Sequence, residues 1–361
     1  MPSVAFALRS DARTKPGGDS SKIARYAKKL ESIGWQTQTV THLGQLDSLP
    51  DIVHITNLDL PRENLLYVRE ARRLGARVVL STIRHPLEGI RAMYRSGADT
   101  MYAKTRRLGM SAEQAVGMRE RLKLASRRQF AAAMIPGQYL ALQAELLKRV
   151  DAFLPMASGE AEAIQRDFGL DSGTIIRNGY SFSRSGSDTP SHVIYDVISV
   201  GRIEPRKNSL ALAHALHQSK VHGAFLGAIN DKHARYARDF RRMAEASPYV
   251  THLERVPHDQ VPATLASARV YVNPAWFEVA SQADVEAATV GLPVVTTIHG
   301  YAQDSLGHNV ATLDPEHLVQ DPRAALEQAL HDASPCYPAT DRDWDQCGIE
   351  LDAVYREVLA S

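Results

Sequence analysis

The sequence predicts an α/β chain folded as two doubly wound lobes. Three observations carry this expectation. The 361 residues, 44% of them hydrophobic, suffice for two domains with a core each. Short β-branched runs alternate with amphipathic helical segments, the pattern of a parallel sheet with crossover helices. A small, polar, patternless stretch, SRSGSDTPSH at 183–192, separates two such regions and reads as a linker.

Taken in order, VAFALRS (4–10) is a first strand. After a Gly-Gly turn, Ile23, Tyr26, Ala27, Leu30 and Ile33 recur at helical spacing. DIVHIT (51–56) and ARVVLST (76–82) are strands on either side of a helix at 61–74, and 104–150 reads as almost wholly helical. VDAFLPMAS, a helix to about 168 and GTIIRNG complete a first lobe over 1–182. A second lobe spans 193–345, with strands VIYDVISVG, GAFLGA, YVTHLERV, RVYVNP and PVVTT and helices at 207–219, 232–246, 258–268 and 281–290. The tail, 346–361, is a terminal helix that crosses back to the first lobe. Trp344, Ile349, Val354 and Leu359 are its expected apolar anchors.

Lys plus Arg number 42 against 41 Asp plus Glu, so no global field draws the chain to nucleic acid. Two isolated cysteines, Cys336 and Cys347, suit a reducing compartment. The N-terminus lacks a basic start and an unbroken apolar core, and no apolar run nears the roughly 20 residues that span a bilayer. A cytoplasmic protein, at most peripheral to a membrane, is expected.

The informative stretch is WFEVASQADVEAATVGLPVVTT (276–297). Glu278 falls on the loop after a strand. Ser281, three residues before Asp284, caps a helix that places Glu286 in its second turn. Amides at that helix start, at Ser281 and Gln282, favour a phosphate. Two carboxylates eight residues apart, at most about 12 Å along a helix, then flank a sugar diphosphate and accept from vicinal hydroxyls at its two ends. SVGRIEPRKN (199–208) supplies Arg202 and Lys207 just past a strand ending at Gly201, where two cations neutralise a departing diphosphate.

With VGRIEPRKN, LASARVYVNPAWFE, the Glu-x7-Glu of 278–286, EAATVGLPVV and a closing W…Y…VL helix, the second lobe resembles the family-4 retaining glycosyltransferases of the GT-B fold. The first lobe echoes them in GGD (17–19), DIVHITN and IIRNGYS. The resemblance implies two Rossmann-like lobes facing across a cleft and a metal-independent sugar transfer from a nucleoside-diphosphate sugar to a glycan, lipid or small-molecule acceptor. It implies that Arg202 and Lys207 hold the diphosphate, Glu286 the ribose and Glu278 the donor sugar, with Ser281 and Gln282 on phosphate and the loop at Arg255 and Val256 on the base. It also implies that His85 faces the donor sugar and that the loop at Gly17, Gly18 and Asp19 approaches donor and acceptor. Asp19 has a simpler reading as the cap of a helix from Ser20, and His54 as a satisfied strand residue. The family's Phe-Gly after the first glutamate is Ala280-Ser281 here, which restricts close backbone approach to a ligand.

Two runs remain. Residues 104–128 hold eight Lys or Arg against two Glu, a solvated helical face or a dock for anionic lipid or a phosphorylated glycan. DRDWD (341–345) imitates a carboxylate metal motif but lacks the calcium-loop glycine, and reads as a helix start. The alternatives to transfer are a sugar-nucleotide epimerase or phosphorylase on the same fold, and a non-catalytic subunit.

Overall fold

The structure is a computed structural model that describes all residues except 11, 13–16, 47–48, 172, 181–192 and 339–341; the expected linker at 183–192 and Asp341 lie outside the described residues. It divides into two compact units. The first comprises Met1–Arg84, Lys104–Gly179 and Arg342–Ser361, the second His85–Ala103 and Tyr180–Asp341.

In the first unit five strands, β1 (Ser3–Ala7), β2 (Gln36–Val40), β3 (Ile52–Thr56), β4 (Arg77–Ser81) and β5 (Ala152–Leu154), run in the order β2-β1-β3-β4-β5. All their pairings are parallel. β2, QTQTV, carries no apolar signal because it is an edge strand with most of its side chains out of the core. One face of the sheet is covered by helix Gly18–Ser32, which buries Ile23, Tyr26 and Leu30, and by helix Trp344–Ala360. The terminal helix anchors through Trp344, Cys347, Leu351, Val354, Tyr355 and Val358, a single 3.6-period stripe. Trp344 and Val354 are on that stripe; Ile349 and Leu359 fall off it and are exposed.

The second unit holds β6 (Tyr195–Val200), β7 (Gly223–Leu226), β8 (Val250–Leu253), β9 (Ala268–Val272), β10 (Val294–Thr297) and β11 (Ala311–Leu313) in the order β11-β10-β9-β6-β7-β8. Here too every pairing is parallel. Counted within the unit, this is the 3-2-1-4-5-6 order of a doubly wound dinucleotide-type sheet. Its winding reverses between β6 and β9, and ligands bind such sheets outside the carboxyl ends of the strands at that point.

A boundary at 182 places all of 85–103 in the first lobe, whereas His85–Ala103 packs within the second unit. Helix Leu87–Ser96 makes this possible at Gly89: a Cβ there would lie 2.6 Å from the Phe277 Cβ and from the Trp276 carbonyl oxygen. Any side chain at Gly89 would push the helix off that loop. Arg95, on the same helix, pairs with Glu316 at 2.5 Å.

Candidate active site

The site is built from the two loops that leave β6 and β9. Past β6 the chain bends at Gly201, whose φ of +152° favours glycine, and a Cβ there would press on Lys207 Cε at 3.2 Å. Gly227, after β7, sits so near that its own Cβ would lie 2.2 Å from the Gly201 carbonyl oxygen. This close passage turns the chain into a short 3-10 turn, Pro205–Lys207, opened by a proline and followed by helix Ser209–Ser219. Past β9 the chain is stitched to the first loop where Trp276 N–H donates to the Arg206 carbonyl at 2.9 Å. Glu278 N–H donates to the His299 carbonyl at 3.0 Å. Trp276 is fully buried beneath, so Phe277 and Glu278 have fixed positions.

Glu278 is the hub. Lys207 Nζ lies 2.5 Å and Arg206 Nη1 3.2 Å from its Oε1. Burial alone would push this carboxyl up, but the charges of Lys207 and Arg206, the Lys207 hydrogen bond and the nearby His85 outweigh it and hold the pKa down at about 2. The His85 ring stands edge-on to Phe277, with centroids 5.0 Å apart. A second carboxylate, Glu204, is 3.4 Å from Arg202 Nη2 and accepts from Asn230 Nδ2 at 2.8 Å. Although burial opposes it, Arg206 and Arg202 draw its pKa below the usual range. Arg202, Arg206 and Lys207 against Glu204 and Glu278 make three cations to two anions, so the cluster carries one positive charge in excess.

Helix Gln282–Thr289 starts at the same edge. Ser281 caps it, accepting from Asp284 N–H at 3.4 Å and donating its hydroxyl to Asp284 Oδ1 at 2.5 Å. Asp284, 1% exposed, also accepts from Tyr271 Oη at 3.0 Å, Asn273 Nδ2 at 2.8 Å and Thr296 Oγ1 at 2.5 Å. Burial raises its pKa, against the pull of the donating hydroxyls. The helix start is thereby pinned to the ends of β9 and β10. Ser281 has ordinary extended backbone, φ −71°, so no left-handed conformation demands the glycine of the Phe-Gly pattern here.

The structure therefore brings Gly201, Lys207, Glu278 and His85 together within the second unit, and sets Ser281 and Gln282 at the capped start of the next helix. Glu286 is half-buried in that helix's second turn. Arg202 is 59% exposed and meets Glu204, while Arg206 takes the place beside Lys207 on Glu278. Arg255 and Val256 follow β8, two strand spacings from β6, or roughly 10 Å along the same edge. In the first unit, Gly17 is the N-cap and helix Gly18–Ser32 already includes Asp19. Asp19 is thus not a cap; its carboxylate holds Arg9 Nε at 2.8 Å and accepts from Ser20 N–H at 2.9 Å. His54, fully buried, bonds Ser81 Oγ at 2.9 Å and Tyr355 Oη at 2.5 Å, as a satisfied strand residue.

Sequence reasoning gave no role to Glu204 or Arg206 and treated Asp284 only as part of a cap. The signal for Arg206 was its place next to Lys207 in a Pro-initiated turn. For Asp284 it was an acidic residue on the apolar side of a short helix. Among the described residues no group of three or more His, Cys, Asp or Glu is arranged to hold a metal ion. Asp343 caps the terminal helix at Gln346 N–H, 2.7 Å, and Asp345 pairs with Lys29.

No curated protein sequence matches the chain. Among solved structures, sucrose-phosphate synthase from Thermosynechococcus elongatus is similar with a TM-score of 0.68 at 14% identity, covering 100% of both chains. Anabaena Alr3699/HepE in complex with UDP has a TM-score of 0.60 at 15% identity, covering 100% of this chain and 97% of that one. The lipopolysaccharide outer core galactosyltransferase WaaB in its apo form has a TM-score of 0.56 at 12% identity, covering 100% and 98%. At these identities the likeness speaks for the fold, the GT-B arrangement of two parallel-sheet α/β domains. Residues 193–346 match the family described as glycosyl transferases group 1, and this stretch holds Lys207, Glu278 and the capped helix.

Proposed function

We propose that the chain is a retaining, metal-independent glycosyltransferase whose donor, a nucleoside-diphosphate sugar, binds the second unit. The observation that carries this reading is the cluster of Lys207, Arg206 and Glu278 at the β6/β9 reversal, beside the start of helix Gln282–Thr289. An excess positive charge and a helix N-terminus at one sheet edge suit a diphosphate. Lys207 has three N–H donors, so it can keep Glu278 and still meet a phosphate oxygen. Arg202, exposed at the rim, closes on the same anion. These cations stabilise charge as the glycosidic bond breaks, work that a divalent ion does in other transferases. Glu278, held ionised by two cations, is a poor nucleophile and a good acceptor for donor-sugar hydroxyls. The acceptor, a glycan, lipid or small molecule, then attacks on the face the diphosphate leaves, which retains configuration.

Glu286 is assigned to the ribose, Arg255 and Val256 to the base, His85 to the donor sugar, Gly18 to donor binding and Asp19 to the acceptor side. UDP-sugars are the first donors to try, because the Anabaena relative of similar fold holds UDP. The test is a thermal-shift and hydrolysis screen across UDP, GDP, ADP, CMP and dTDP sugars. Binding and slow hydrolysis of one donor class, unchanged by EDTA, are expected. Silence across the whole panel sinks the proposal, and loss of turnover in EDTA sinks its metal-independent part.

A further inference from the structure

Glu204 touches no part of the donor as assigned above, yet it engages two of the cations around the donor's diphosphate. Its side chain is 9% exposed, and Oε1 lies 3.4 Å from Arg202 Nη2 and 3.7 Å from Arg206 Nε. Oε2 accepts from Asn230 Nδ2 at 2.8 Å. Asn230 is itself fixed: its N–H donates to the Ile203 carbonyl at 3.1 Å, and its Oδ1 accepts from Lys232 N–H at 3.4 Å as the cap of the 3-10 turn Asp231–His233. A carboxylate with little freedom therefore faces the cation cluster.

The cations differ in how firmly the protein holds them. Arg206 is enclosed, with Nε toward Glu204 while Nη1 meets Glu278 Oε1 at 3.2 Å and the Phe277 carbonyl at 3.3 Å. Arg202 is 59% exposed, and among the described residues Glu204 is its only acidic partner. A diphosphate that draws Arg202 draws it away from Glu204, so two anions compete for one guanidinium. With Glu204 the cluster carries one positive charge in excess; without it the excess is two.

We propose that Glu204 is a counter-charge that loosens the grip of this cluster on the diphosphate, so that the nucleoside diphosphate leaves after the sugar has been transferred. The inference rests on the donor-site reading above. As the bond from the sugar's anomeric carbon to the diphosphate breaks, its electron pair stays on the phosphate oxygen and the acceptor oxygen bonds the carbon. Once the acceptor's proton has passed to water, the product carries one more negative charge than the donor did. An unmoderated cluster would hold that product hardest. Tighter hold on donor and product alike lowers KM without raising kcat, so a group that tempers it has a use. If Glu204 served only to aim the arginines, its loss would weaken diphosphate binding. A counter-charge predicts the opposite sign.

The test is calorimetric titration of the full chain with UDP, or with the nucleoside diphosphate of whichever donor it binds, at low and high salt. Glu204→Gln removes the charge and keeps an acceptor for Asn230; Glu204→Asp keeps the charge. Glu204→Gln should tighten the diphosphate by about tenfold at low salt, a gain that shrinks at high salt, and donor KM should fall with it. Glu204→Asp should stay within about threefold of the parent. Glu204→Ala is the second neutral variant and should move in the same direction as Glu204→Gln, thermal melting showing which of the two keeps the fold. Equal or weaker diphosphate binding in the folded neutral variant, a rise in donor KM, or the same tightening in Glu204→Asp would each overturn the proposal. A parent chain that binds no nucleoside diphosphate sinks the donor-site reading as well, which tells the two failures apart.

Discussion

Glu278 shows how one side chain acquires a role from its neighbours. With its pKa held at about 2 instead of 4.5, the native pairing is complete above about pH 4.5 and is lost only as pH falls through 2. No limb of the activity profile between about pH 5 and 8 should belong to it. Glu278→Gln should lower turnover at every pH alike, and a pH profile of donor hydrolysis that shifts on this substitution would contradict the assignment. Lys207→Ala removes the nearer cation and should cost about 10²- to 10³-fold in kcat, with a loss of about 1–3 kcal/mol in urea unfolding as Glu278 is left to Arg206 alone. Lys207 and Glu278 were legible in the sequence because each follows a strand end by a fixed short interval. Which arginine shares the carboxylate was not, because it depends on the direction of a three-residue turn.

At the scale of elements, helix Gln282–Thr289 is too short to hold its position by propensity, and Asp284 holds it by accepting from four side chains on three segments. Asp284→Ala strands those buried donors and should destabilise the second unit by about 2–4 kcal/mol, measured by urea unfolding. Donor KM should rise as well, because the first-turn amides lose their fixed place. The terminal helix makes the complementary point. Leu351→Ala, within the buried stripe, should cost about 2–5 kcal/mol, while Ile349→Ala should stay within about 0.5. Strands with apolar runs, such as β1, β3, β4, β6 and β9, were readable from sequence. β2 was not, because an edge strand has little burial to write into its side chains, and Ile349 misled because hydrophobicity without phase does not define a face.

For the whole molecule, acid should act on the first unit through His54. Burial, with Lys22 nearby, pushes its pKa to about 3 from 6.5, so the unfolded chain takes up this proton first and stability is lost as pH falls below 6.5 toward 3. Between about pH 7 and pH 5 the loss should be about 2 kcal/mol, and His54→Gln should flatten that part of the urea-midpoint curve. The two-lobe plan was visible in the alternation of strand and helix. The membership of His85–Ala103 was not, since it rests on the missing side chain of Gly89 and not on any pattern within the segment itself.

The terminal helix, which covers β1 and helix Gly18–Ser32 although more than 300 residues separate them in sequence, also sets an order of assembly. During translation the first sheet emerges early, yet it waits for Trp344, Leu351 and Tyr355 to leave the ribosome before its open face is sealed. The second sheet, whose strands all precede that helix, can close sooner. A nascent chain stalled before Arg342 should accordingly protect β6 to β11 from protease and leave β1 to β5 open to cleavage.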